Sequence, residues 1–169
     1  MTHAADPEKL LEKLATDLEN LLQQRAITNP MVIGIQTGGV WLAEKLQQRL
    51  GLQEELATLD ISFYRDDFSR IGMNPQVKPS HIPHAIEDRH IVLVDDVLQS
   101  GRTIRAAMNE IFDYGRPASI TLACLIVRSG RELPIQADVV GQQLELADNE
   151  QIKLTGPSPM AWVVKTVDK

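Results

Sequence analysis

Two adjacent carboxylates, Asp95 and Asp96, stand between the apolar run Ile91-Val92-Leu93-Val94 and the turn Gln99-Ser100-Gly101-Arg102-Thr103. Carboxylates are poor phosphate ligands but good acceptors for sugar hydroxyls. The turn opens a helix-like run (Ile104, Ala107, Met108, Ile111, Phe112). Backbone N–H groups at a helix start, with the partial positive charge of the helix dipole, suit a phosphate. One small ligand with a diol and a phosphate, a ribose 5-phosphate, satisfies both halves. The alternatives are a turn cap for Asp96 and an N-cap for Ser100.

These residues need a scaffold, and the chain supplies one by alternation. Asp6-Pro7-Glu8 is a helix start, followed by a leucine stripe from Leu10 to Leu22. Residues 31–35 read as a buried strand, 36–39 as a turn and 40–50 as a helix closed by Gly51. Strands are expected over 56–64, 90–94 and 118–127, with a helix over 102–114 stopped by Gly115 and Pro117. Such alternation predicts one α/β domain over 1–169 with a mostly parallel sheet flanked by helices. Residues 65–88, with Pro75, Pro79 and Pro83, lack a clean period and read as an active-site lid or a missed element. After Pro134, short apolar patches (Val139-Val140, 152–154, 161–167) predict small strands in an antiparallel cap.

Composition narrows the class. The 169 residues are 43% hydrophobic, 24% charged and only 4% aromatic, which predicts an aliphatic core in an ordinary globular protein. A single cysteine, Cys124, lies in an apolar run; it reads as a buried core residue, and a reducing, cytoplasmic setting is expected. No apolar stretch is long enough for a membrane span. A net charge of −6 disfavours broad nucleic-acid binding. Against that background, residues 102–131 carry five arginines and two acids, a local excess suited to phosphate. P-loop and dinucleotide glycine motifs are lacking, and the acidic pair falls too late for a phospho-accepting receiver domain. His81 and His84 read as loop residues, not metal ligands.

The segment from Ile91 to Thr103 resembles the phosphoribosyl-diphosphate signature of type I phosphoribosyltransferases. Gly34 to Ala43 is similar to their diphosphate loop and following helix. Leu59 to Asp67 and Arg131 to Asp138 narrow the resemblance to the PyrR family of pyrimidine operon regulators. That resemblance implies a type I phosphoribosyltransferase fold: a flanked parallel sheet, a small hood built partly from 128–165, and a mobile lid loop. It implies uracil phosphoribosyltransferase activity, with uracil and 5-phosphoribosyl diphosphate giving UMP and diphosphate. It also implies regulation of transcription by attenuation through RNA, and a homo-oligomer.

By the same resemblance, Asp95 and Asp96 hold the ribose hydroxyls, directly or through water on Mg2+, and the metal comes with phosphoribosyl diphosphate. Gln99, Ser100, Gly101, Arg102 and Thr103 cradle the 5-phosphate. Thr37, Gly38 and Gly39 approach the diphosphate, and Arg65 reaches the leaving group from the lid. Val127, Arg128 and Arg131 border the base. The chain departs from the family at two of these places: Gly38 stands where arginine is usual, and Val127 where aspartate is usual. Gln136 and Gln142 replace basic residues of the RNA face, and residues 6–25 hold five acids against three bases. Two alternatives follow, a nucleotide-sensing regulator without turnover and a phosphoribosyltransferase for another base.

Overall fold

A computed structural model describes residues 3–61 and 80–168. Arg65 and most of the expected lid lie outside the described residues. The elements run α1 (Pro7–Gln24), β1 (Met31–Ile35), α2 (Gly38–Arg49), β2 (Ala57–Leu59), β3 (His90–Leu98), α3 (Arg102–Tyr114), β4 (Ser119–Arg128), β5 (Val139–Leu144), β6 (Glu150–Thr155) and β7 (Ala161–Thr166). Strands β2-β1-β3-β4-β5 form a sheet in that order, and every pairing in it is parallel. Strands β6 and β7 form a separate antiparallel hairpin.

Alternation along the central strands sorts the core into two layers. Val32, Val92 and Val94 face one side with Leu10, Leu14 and Leu18 of α1 and Leu42 and Leu46 of α2. Ile33, Ile91 and Leu93 face the other with Ile104, Ala107 and Ile111 of α3. These strands are buried on both faces, hence their near-continuous hydrophobic runs. Helix α1 starts as its sequence dictates: the Asp6 carboxylate accepts from the Glu8 N–H at 3.3 Å, and Pro7 opens the first turn.

Helix α2 lies almost flush on β1 because Gly34 has no side chain. A Cβ there would sit 2.8 Å from Val40 Cα and 2.9 Å from both Ala43 Cβ and the Gly39 carbonyl oxygen. Two of those neighbours are backbone, so α2 itself would have to move. Gly34→Ala is expected to cost about 2 kcal/mol of stability. The check is a lowered urea midpoint with an unchanged m-value.

The hairpin forms a hood on the α1/α2 side. Leu154 and Met160 are buried in that layer beside Trp41 and Trp162, and β6 touches β3. Residues 3–5 strap this region down. Gln142 accepts from the Ala5 N–H at 2.8 Å and donates to the His3 carbonyl at 2.9 Å, while the Trp162 indole N–H donates to the Ala5 carbonyl at 2.9 Å.

Several boundaries differ from the sequence expectation. Strand β3 continues through Asp95 and Asp96 to Leu98, four residues past the expected end. Helix α2 begins at Gly38, so Gly38 and Gly39 are its first turn, not part of a loop. Val139-Val140 adds a parallel fifth strand to the main sheet and is not part of the antiparallel cap. No helix covers the β4–β5 connection, so the usual sequence signal of a parallel crossover was missing. Of the expected 56–64 strand, β2 accounts for 57–59. Within residues 80–88, His81 bridges Thr58 in antiparallel fashion and Ile86 is buried in the α3-side layer.

Candidate active site

The carboxyl ends of β1 and β3 converge with the starts of α2 and α3, where open parallel sheets bind ligands. Asp95 and Asp96 are 1% and 8% exposed, deep for adjacent acids. They stay inside the ladder because each carboxylate serves the next peptide. Asp95 Oδ1 accepts from the Asp96 N–H at 2.9 Å, and Asp96 Oδ1 accepts from the Val97 N–H at 2.8 Å. That bond uses one Asp96 oxygen and lies within β3, so it caps no turn. The other, Oδ2, lies against Gly38 so closely that a Cβ there would overlap it.

Gly38 thus joins the two halves of the cleft. The start of α2 and the acidic end of β3 meet where only hydrogen fits. Gly39 is as constrained, since a Cβ there would meet the Val94 carbonyl and come within 3.2 Å of Asp95 Cα. Thr37, at the N-cap of α2, makes no side-chain capping bond, and it is exposed.

The loop after β3 is held from behind. Gly101 adopts φ 97°, a left-handed conformation that favours glycine. Ser100, buried, accepts from the Arg102 N–H at 3.1 Å through its hydroxyl, one residue ahead of the N-cap of α3, which is Gly101. The Ser100 carbonyl accepts from the N–H groups of Glu132 and Leu133 at 3.0 and 2.9 Å. Arg102 Nε pairs with Glu132 at 3.1 Å, and Arg131 donates to the Gln99 carbonyl. A Cβ on Gly130 would lie 3.3 Å from the Gln99 side chain. The first intrahelical bond of α3 runs from the Arg105 N–H to the Gly101 carbonyl at 2.9 Å. The N–H groups of Thr103 and Ile104, ahead of it, are the helix-start donors that an anion would use.

Of the three residues read as a base-binding wall, Val127 is half-buried at the end of β4 and Arg131 spans to the Gln99 carbonyl. Arg128 is placed differently. It is 3% exposed, and its guanidinium donates to the carbonyls of Ser129 (3.1 Å), Glu150 (2.6 Å) and Ala147 (3.1 Å). Burial pulls its pKa below the ordinary arginine value, and Glu150 and Asp148 oppose that shift. Sequence reasoning placed Ser129 only within the 127–131 stretch at the base and singled out neither it, whose hydroxyl both donates to and accepts from Leu146, nor Glu132. For Glu132 the signal was present, an acid beside Arg131 in a segment rich in turn residues.

The phosphoribosyl transferase domain family matches residues 6–157. Bifunctional protein PyrR of Nitrosococcus oceani is 57% identical over 163 residues, covering 95% of this chain and 92% of its own. The chain belongs to the PyrR family of phosphoribosyltransferases. The PyrR relative from Pseudomonas entomophila is 60% identical over 156 residues, covering 92% of this chain and 91% of its own. Beyond the PyrR family the likeness is one of fold. A hypoxanthine-guanine phosphoribosyltransferase from Bacillus anthracis superposes with a TM-score of 0.66 at 19% identity, covering 85% of each chain. No helix among the described residues of this PyrR-family chain is long and apolar enough to cross a membrane.

Cys124 pairs with Asp95 across the β3–β4 ladder and is fully buried. Burial, and behind it the Asp95 and Asp96 carboxylates, push its thiol well above the usual range. It is a packed core residue, not a nucleophile. A pKa raised by folding stabilises the native state fully below the unfolded thiol's value of about 8.5, and that contribution is lost as pH rises toward the folded value. Between pH 7 and pH 10, the urea midpoint of the wild type is expected to fall further than that of Cys124→Ala.

Proposed function

We propose that this chain transfers the phosphoribosyl group from 5-phosphoribosyl diphosphate to uracil, giving UMP and diphosphate, and that it binds uridine nucleotides as a pyrimidine operon regulator. One observation carries the reading. Two buried carboxylates lie in the carboxyl half of β3, whose next turn opens α3, and the first turn of α2 packs against one of them. A ribose 5-phosphate would place its hydroxyls on Asp95 and Asp96 and its phosphate on Gln99 to Thr103. The bifunctional PyrR relatives support the functional reading.

As diphosphate leaves, positive charge develops at the anomeric carbon, and catalysis is mainly positioning and charge stabilisation. The carboxylates of Asp95 and Asp96 orient the ribose and favour that charge. The helix-start N–H groups of Thr103 and Ile104 fix the phosphate end. The diphosphate is assigned to the first turn of α2 beside the exposed Thr37, a turn that Gly38 and Gly39 let pack against Asp96 and the Val94 carbonyl. Val127 and Arg131 border the base, Arg65 is assigned to the leaving group, and Arg128 shapes the wall from behind.

The donors present fit Mg2+, a hard cation that takes oxygen ligands. Among the described residues no group of three or more acidic, histidine or cysteine side chains is placed to hold a metal ion. The two carboxylates would therefore hold the metal together with water and the oxygens of phosphoribosyl diphosphate. When bound, Mg2+ supplies positive charge to the departing diphosphate.

Charge pairing bears on the regulatory partner. Lys13, Lys45 and Arg49 are each tied to acids (Asp17; Glu8; Glu12 and Glu19) on the α1/α2 surface. Those cations are offset where an RNA phosphate would need them, so RNA binding is expected to be weak.

A second reading, a nucleotide sensor without turnover, is favoured by Val127, which gives the base no carboxylate partner. An unmatched polar edge costs about 1–3 kcal/mol. The test is incubation of pure protein with phosphoribosyl diphosphate, Mg2+ and labelled uracil, with UMP as the expected product. Tight UMP binding without product selects the sensor. Product with hypoxanthine or guanine alone selects another base.

A further inference from the structure

We propose that Ser129 and Arg128 are positioning residues: they hold the 144–150 turn of the hood against the end of β4 and so set the wall over the base-binding end of the cleft. The inference rests on the phosphoribosyltransferase reading above and adds to it residues that touch no substrate.

The Ser129 hydroxyl donates to the Leu146 carbonyl at 2.8 Å and accepts from the Leu146 N–H at 3.0 Å. The Ser129 N–H donates to the Leu144 carbonyl at 3.1 Å. Only a group that donates and accepts at once can close that pair, which is what a hydroxyl offers. One residue earlier, the buried Arg128 donates to the carbonyls of Ala147 and Glu150 on the far side of the same turn. Each of its partners is a backbone carbonyl, so the guanidinium is committed to shape and not to a bound anion.

From this turn the chain enters β6 directly. The tip of the hood is seated against α2, where a Cβ on Gly156 would lie 3.1 Å from the Trp41 ring. The hood is thus fixed at its root by Ser129 and Arg128 and at its tip by Trp41. The segment that carries the root continues into Gly130, Arg131, Glu132 and Leu133, which back the Gln99–Arg102 loop. Hood and phosphate loop are therefore built against the same short stretch of chain. Slack at Ser129 moves the hood relative to the phosphate loop and leaves the loop in place.

Ser129→Ala and Ser129→Thr test this. Ser129→Ala is expected to raise KM for uracil and Kd for UMP about fivefold, the effect of roughly one lost hydrogen bond. KM for phosphoribosyl diphosphate is expected to stay within about twofold, and Ser129→Thr, which keeps the hydroxyl, to restore the wild-type values. Without any ligand, the Leu146 amide is expected to exchange hydrogen at least about tenfold faster in Ser129→Ala, while exchange in α3 is unchanged. Arg128→Lys keeps the charge but loses the fork of donors, and it should reproduce the uracil effect. Equal shifts in the KM of both substrates, or unchanged uracil and UMP constants in a normally active protein, overturn the proposal. Wild-type protein that neither forms nor binds UMP overturns the reading of the site itself, and the positioning claim goes with it.

Discussion

Asp95→Asn and Asp96→Asn are each expected to lower UMP formation by about a hundredfold or more, with little change in fold. The size follows from removing one preorganised charge from beside a developing positive centre. The fold should survive because Asn retains an acceptor oxygen for the Asp96 or Val97 N–H that the carboxylate serves in the wild type. Single-turnover rates, measured beside circular dichroism and the urea midpoint, separate the two effects. Asp96→Asn should carry the larger share of any loss in diphosphate handling, because its Oδ2 faces the first turn of α2. Turnover within a few-fold of wild type in both variants would remove the acidic pair from the chemistry.

Gly38→Ala is expected to reduce kcat/KM for phosphoribosyl diphosphate by about a hundredfold, the scale on which a misplacement of about 1 Å acts. The added Cβ overlaps the Asp96 carboxylate, so either Asp96 turns away from the cleft or α2 shifts. Gly38→Arg introduces the residue that the resemblance leads one to expect at this position, yet it brings the same Cβ and the same overlap. It is therefore expected to lose activity and not to gain diphosphate affinity. A double-mutant cycle makes the cause visible. In an Asp96→Asn background, Gly38→Ala should cost much less than it does alone, because the group it displaces no longer carries the charge. Strict additivity of the two losses would contradict the contact as the cause.

What the sequence made legible follows from how local each signal is. The five-residue strand at 31–35 and the helix at 102–114 were bounded by turn residues and emerged at those limits. The acidic pair and its turn were readable because the chemistry sits in adjacent residues. The end of β3 was misjudged because a charged residue normally closes a buried strand. Here each carboxylate accepts from the next peptide N–H through one oxygen, so the ladder continues. The edge strand at 139–144 was assigned to the hood because its partner is β4, reached without a helix between them. Arg128 was placed in the base wall from its neighbours in sequence. Its actual partners, Ala147 and Glu150, lie about twenty residues further on, beyond the range of any local pattern.

The strap at residues 3–5 bears on how the molecule is assembled. The Ala5 carbonyl waits for the Trp162 indole, 157 residues away, and its N–H for Gln142, 137 away. Contacts this distant in sequence are among the last a chain can close. During synthesis, then, the stretch ahead of α1 stays unattached until β5 brings Gln142, and it gains its Trp162 bond only with the hairpin. A ribosome-stalled chain ending before that hairpin should already hold the central sheet, with residues 3–5 tied through Gln142 alone and more protease-sensitive than when the hairpin is included.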